Sequence, residues 1–126
     1  MDELLMGVNW TAVVAGTVVS YGLGFLWFGP IFGKIWSAGS HGITPPKSPP
    51  LLAMVLQLAG TFLMAWVIGA TATINALVTA IFVILAIAAL LTAGSLFSQK
   101  TMAAALIEGA FVLVMGVVMI AAQGVL

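Results

Sequence analysis

The residue best placed to do chemistry in this sequence is Glu108, the one acidic side chain inside a long apolar segment. That segment, residues 102–123, is long enough to cross a lipid bilayer as a helix. Glu108 lies about six residues, or about 9 Å, from its start. An ionisable group at such a depth is costly unless it has partners, so Glu108 marks a candidate functional site.

Polar side chains from the other apolar segments are expected at the same depth. They are Ser20, Tyr21, Gln57 and Thr92. No basic residue is expected there, so the sequence predicts an intramembrane polar cluster without a counter-ion, in which burial favours neutral Glu108. In the preferred hypothesis the protonated acid only hydrogen-bonds between helices. In the second hypothesis it exchanges protons or binds a cation beside a cavity.

Other kinds of chemistry have little support in the sequence. There is no cysteine and only one histidine, His41, in a glycine-rich stretch where a solvated loop residue is expected. A thiol nucleophile and a typical protein-only metal site are therefore not expected. No nucleotide-binding, zinc-protease or nucleophile-elbow motif occurs. We expect no catalytic residue, no metal and no cofactor, and therefore no enzyme.

The composition is that of a membrane protein. Of the 126 residues, 63% are hydrophobic and 5% are charged, with a mean hydropathy of +1.31. A soluble domain of this size needs far more charge to cover its surface, so most of this surface must face lipid. The formal net charge is zero and the three lysines are scattered, which argues against binding of nucleic acid.

Four apolar stretches predict an all-α integral membrane bundle that forms a single domain over residues 1–126. The predicted spans are residues 8–28, 51–69, 73–97 and 102–123. Gly29 and Pro30 are expected to end the first span, because proline disfavours helical geometry in the residue before it. Tight turns at residues 69–73 and 98–100 predict antiparallel neighbours.

The lysines predict the orientation of the chain. Lys34 and Lys47 follow the first span and Lys100 follows the third, whereas Asp2 and Glu3 lie at the opposite end. The positive-inside rule then places both termini outside the cytoplasm, in a multi-pass protein of the bacterial inner membrane.

Residues 31–36 have the apolar spacing of a short helix in the membrane interface. Trp27 and Trp36 are interpreted as anchors at headgroup level, with Lys34 reaching toward water. Small residues at four-residue spacing in the first span, among them Gly16 and Gly24, predict close packing against another helix.

Two stretches resemble a known family. Residues 8–10 and 24–36 are similar to the Asn-Trp start and the Gly-x-x-Trp-Tyr/Phe-x-Pro-x-Phe-Gly-Lys-x-Trp segment of the bacterial membrane proteins called domain of unknown function 1761. Residues 106–111 resemble its closing Leu-Ile-Asp-x-Gly-Tyr helix, with Glu108 in place of Asp, Ala110 in place of Gly and Phe111 in place of Tyr. The resemblance implies a four-helix architecture and no activity. It singles out Trp27, Pro30, Lys34, Trp36 and Glu108.

The pattern favours a small non-catalytic membrane protein, either a subunit or scaffold of a membrane complex or a lipid-binding bundle. The alternative is a small proton-coupled transporter with Glu108 as its titratable site. The expected partners are membrane lipids and either a second copy of the chain or a larger membrane complex. Small residues such as Gly109 in the fourth span serve helix packing in either case.

Overall fold

The computed structural model describes residues 2–44 and 46–126, and every regular element in those residues is helical. In chain order the elements are α1 (Asp2–Leu5), α2 (Trp10–Leu26), a π-helical turn (Trp27–Ile31), α3 (Gly33–Gly39), α4 (Leu51–Ala72), α5 (Leu77–Phe97) and α6 (Met102–Val125). Four segments are long and apolar enough to cross a membrane: Trp10–Ile31, Leu51–Ala72, Leu77–Phe97 and Met102–Val125. The prediction of an all-α bundle with four candidate spans and a short helix after the first is confirmed.

The turn between the second and third spans differs from the prediction. The sequence predicts it at residues 69–73, but α4 continues to Ala72 and the chain reverses over residues 73–76. Gly69 serves helix packing instead of ending α4, because a Cβ atom there would lie 2.8 Å from Val13 Cγ2. The Thr73 hydroxyl donates back to a carbonyl in the last turn of α4. Asn75 then takes the left-handed φ of 54° that redirects the chain.

The first span also ends differently from the prediction, because Pro30 lies inside the π-helical turn. Proline has no N–H group, and its ring displaces the carbonyl of the fourth residue before it. The wider turn accommodates the ring and closes with a hydrogen bond of 3.0 Å from the Phe32 N–H to the Trp27 carbonyl. Phe32 leaves helical geometry with φ −119°, ψ 5°, and α3 begins immediately after it.

α6 is the central helix of the bundle. In the most apolar stretch of 18 residues of α6, 50% of the residues are buried, whereas in the corresponding stretch of α5 the share is 17%. α2 packs against both α4 and α6, while α5 packs mainly against α6 and has less contact with α4. The core is formed by large side chains from all four helices, including Val13, Met64, Ile68, Ile84, Val112, Met115 and Met119. The bundle is therefore closed on the α2–α6–α5 side and looser between α4 and α5.

Three of the glycines predicted to serve helix packing lie at helix contacts. A Cβ atom added at Gly16 would lie 3.3 Å from Met119 Cγ, and one at Gly24 would lie 3.3 Å from Phe111 Cζ, so α2 and α6 approach closely. At Gly109 a Cβ atom would overlap a threonine hydroxyl of α5. A side chain at Gly16 or Gly24 would therefore have to displace its neighbour slightly, and at Gly109 even a Cβ atom does not fit.

Candidate functional site

The short helix α3 lies against the start of α6 and the turn before it. The Thr101 N–H donates a hydrogen bond of 2.9 Å to the Gly39 carbonyl. A Cβ atom on Gly39 would lie only 2.7 Å from Ala104 Cβ, so the two backbones nearly touch. His41, expected to be a solvated loop residue, is exposed, and its Nε2 atom also lies 2.7 Å from the Ser98 carbonyl oxygen. These contacts hold α3 in a fixed position relative to α6.

Two tryptophans from this region direct their indole N–H groups at α6. Trp27 donates a hydrogen bond of 2.9 Å to the Ile107 carbonyl. Trp36, one turn into α3, donates a hydrogen bond of 3.3 Å to Glu108 Oε2. The interpretation of both tryptophans as interfacial anchors did not include these contacts, whereas Lys34 is exposed as expected. The two indoles therefore join the end of the first span to two consecutive residues of the fourth.

Glu108 forms a salt bridge with Lys100. Lys100 Nζ lies 2.8 Å from Glu108 Oε2, and the two side chains are 22% and 13% exposed. The ammonium group also lies 5.6 Å from the centre of the Trp36 ring, within the range of a cation–π contact. The prediction that no basic residue reaches Glu108 is therefore wrong. Within the described residues, no three His, Cys, Asp or Glu side chains come together to hold a metal ion.

Glu108 and Trp36 line a cavity of about 690 Å³ among α2, α4, α5 and α6. The lining is mostly apolar and comes from the parts of the four helices nearer α3. Leu56 and Gly60 of α4 and Leu91 of α5 line the cavity and are exposed. Exposed lining residues on both α4 and α5, which pack loosely against each other, indicate an opening between these two helices.

Over residues 11–124 the chain matches the family described as "Protein of unknown function (DUF1761)". The chain belongs to this family. The DUF1761 match covers all four spans except the outermost residues Trp10 and Val125, and it covers both longer stretches of the resemblance, residues 24–36 and 106–111. No curated protein and no solved structure matches the chain. Membership of the DUF1761 family therefore brings no activity with it.

In this DUF1761 protein the predicted polar cluster around Glu108 is not formed. The Tyr21 and Thr92 hydroxyls donate to backbone carbonyls, at 3.1 Å and 2.7 Å. Ser20 is fully buried and its hydroxyl has no hydrogen-bond partner among the described residues. Gln57 is exposed. Tyr21 and Gln57 do share the cavity with Glu108, but Ser20 and Thr92 do not line it.

Lys100 is the site residue that sequence reasoning missed. The comparison of residue depths along the predicted spans placed Lys100 in the turn before α6, outside the membrane. Helical side chains lean toward the N-terminus, so Glu108 points toward that turn, and the four-carbon stem of lysine spans the remaining distance. This geometry is readable from the sequence. The contact with Trp36, 72 residues away in the DUF1761 chain, has no comparable local signal.

Proposed function

We propose that this protein is a non-catalytic, multi-pass protein of the bacterial inner membrane that binds a membrane lipid in the cavity between α4 and α5. The observation that carries the proposal is the cavity itself, a mostly apolar space of about 690 Å³ with Glu108, the acidic member of the ion pair, on one wall. That volume is typical of pockets that hold small ligands, about 300–1,000 Å³.

The surroundings of the cavity favour a lipid chain as its occupant. The cavity opens between two helices whose outer surfaces are apolar, with Leu56 62% and Leu91 39% exposed. In a bilayer this opening faces acyl chains. An apolar cavity that is open to hydrocarbon gains dispersion contacts when a chain enters it. We therefore expect one chain of a neighbouring lipid to lie along the groove between α4 and α5.

The alternative of a proton-coupled transporter has less support. It depended on a buried Glu108 without a counter-ion, and Lys100 now supplies one at 2.8 Å. A role as a subunit or scaffold of a larger complex, or as an oligomer, is compatible with lipid binding and stays a prediction. The salt bridge and the two tryptophan hydrogen bonds have a structural role in this proposal: they fix one wall of the cavity.

Filling the cavity tests the proposal. Gly60 lines the cavity, and a Cβ atom added there would meet nothing within 4 Å, so the backbone has room for a side chain and Gly60→Phe is designed to place a ring in the cavity. Gly22 is equally unobstructed but lies outside the cavity lining, which makes Gly22→Phe the matched control. Native mass spectrometry after mild detergent extraction should show a lipid retained by the wild type and by Gly22→Phe, and lost from Gly60→Phe. Equal lipid retention by all three proteins would refute the proposal.

The proposed orientation, with both termini outside the cytoplasm, can be tested by cysteine labelling, because the chain has no native cysteine. Ser48 and Val125 are exposed at opposite ends of the bundle. A membrane-impermeant maleimide added to intact cells should label Val125→Cys and spare Ser48→Cys. The reverse pattern would overturn the orientation.

A further inference from the structure

The Glu108 carboxylate uses only one of its two oxygens within the protein. Both Lys100 and Trp36 bind Oε2. Oε1 accepts no hydrogen bond from any described residue, and it is not among the buried side-chain atoms that lack a partner, so it remains accessible. Because Glu108 lines the cavity, Oε1 is available to a ligand there.

The charges around the cavity restrict what that ligand can be. Lys100 already balances Glu108, and no Lys, Arg or His is among the described residues that line the cavity. An anionic headgroup would lie beside a carboxylate with no cation of its own. A cationic headgroup would add an unbalanced positive charge about 9 Å from the end of the helix. Either uncompensated charge is costly in the membrane interior, so a neutral headgroup fits best.

The hydrogen-bonding groups of the cavity are mainly acceptors. The Tyr21 and Thr61 hydroxyls donate their hydrogen bonds to backbone carbonyls, so each can only accept a hydrogen bond from a ligand in the cavity. Glu108 Oε1 is an acceptor as well. Gln57, about six residues into α4 and so at the depth of Glu108, makes no side-chain hydrogen bond with a described residue. A ligand that donates a hydrogen bond therefore matches Glu108 Oε1, and the Gln57 amide can both donate to the ligand and accept from it.

We infer that the lipid bound in this cavity is neutral and carries a hydroxyl group that donates to Glu108 Oε1 beside Gln57, as in a long-chain alcohol or a glyceride. The inference rests on the proposed function, since it names the class of lipid for the same cavity. The apolar tail occupies the groove between α4 and α5. The hydroxyl group occupies the end of the cavity near α3.

Three probes with one chain and different headgroups test the inference: oleyl alcohol, oleylamine and oleyl sulfate. Native mass spectrometry of the purified protein with each probe added separately, at equal concentration and pH 7, gives the fraction of protein that carries each adduct; separate additions are needed because the alcohol and the amine have nearly equal masses. The alcohol adduct should exceed each charged adduct by more than about tenfold, because a charge in the membrane interior costs more than the 1.4 kcal/mol that a factor of ten represents. Binding of either charged probe as strongly as the alcohol would overturn the inference.

Variants that remove one charge of the ion pair predict the direction in which the headgroup preference should shift. Glu108→Gln leaves Lys100 without a counter-ion and should shift the preference toward oleyl sulfate. Lys100→Met leaves Glu108 unbalanced and should shift it toward oleylamine. Gln57→Leu removes an exposed side chain with no hydrogen bond to a described residue, so folding is expected to be unaffected. That variant should weaken alcohol binding about fivefold, the value of one hydrogen bond. Unchanged headgroup preferences in all three variants would refute the role of this ion pair.

Failure of the inference and failure of the proposed function give different results. If all three probes bind equally well and Gly60→Phe abolishes binding of each, the cavity holds a lipid but does not select a hydroxyl group. If no probe binds to the wild-type protein, the proposed function fails together with the inference.

Discussion

Replacing Lys100 with Met should destabilise the protein strongly, because it leaves Glu108 without its counter-ion inside a membrane span. Removing one member of a fully buried ion pair costs about 3–5 kcal/mol, whereas exposed pairs contribute about 0–1 kcal/mol. The Lys100 and Glu108 side chains are 22% and 13% exposed, between these limits and nearer the buried one. We expect a loss of about 2–3 kcal/mol in the free energy of unfolding.

The matched control is Lys34→Met. Lys34 is exposed, lies at the same end of the bundle and makes no salt bridge with a described residue. Its substitution should change the free energy of unfolding by less than about 0.5 kcal/mol. Unfolding by sodium dodecyl sulfate in mixed micelles, followed by circular dichroism, gives both values under one condition.

The double variant Lys100→Met/Glu108→Leu separates the charge effect from loss of packing. With both charges removed, most of the stability should return, since buried ion pairs are commonly replaced by apolar side chains at little cost. A residual loss of about 1 kcal/mol is expected, because the Trp36 N–H then lacks its acceptor. If Lys100→Met behaved like Lys34→Met, or if the double variant were less stable than Lys100→Met, the ion pair would not have the role assigned to it.

Two further substitutions test the contacts between the first and fourth spans by the same unfolding assay. Gly16→Leu should destabilise the protein by about 1–3 kcal/mol, because even its Cβ atom would lie 3.3 Å from Met119, whereas Gly22→Leu, with no neighbour within 4 Å, should be nearly neutral. Trp27→Phe keeps an aromatic ring but removes the 2.9 Å hydrogen bond to Ile107, and should cost about 1 kcal/mol; no loss would show that the ring alone is sufficient.

The spans were predictable from the sequence because each depends on a property of neighbouring residues, a long apolar run. Their ends were less predictable, since Gly69 and Pro30 have local preferences that tertiary packing and a wider helical turn overrode. Gln57 and Tyr21, which depth along each helix assigned to the layer of Glu108, line the same cavity as Glu108. Depth gives no information on the direction in which a side chain points around its helix, and for that reason it did not give the hydrogen-bond partners.

The two stretches that carry the family resemblance meet in space. Trp27 binds the carbonyl of Ile107, and Trp36 binds the carboxylate of Glu108, so residues from the opening segment contact consecutive residues of the closing helix. A single surface between the π-helical turn, α3 and α6 therefore accounts for both motifs.

Phe111, which stands where the family segment has tyrosine, packs well at this surface. Its side chain is 4% exposed, and its ring centre lies 6.1 Å from that of Trp27 and 5.3 Å from that of Phe28, in an apolar setting where a hydroxyl group would need a partner. The acid does not depend on a hydroxyl at this position, because Lys100 and Trp36 already occupy its Oε2 atom. Its second oxygen is thereby left for the cavity, and the same contacts that fix α3 on α6 also prepare the site where a lipid hydroxyl group is expected to bind.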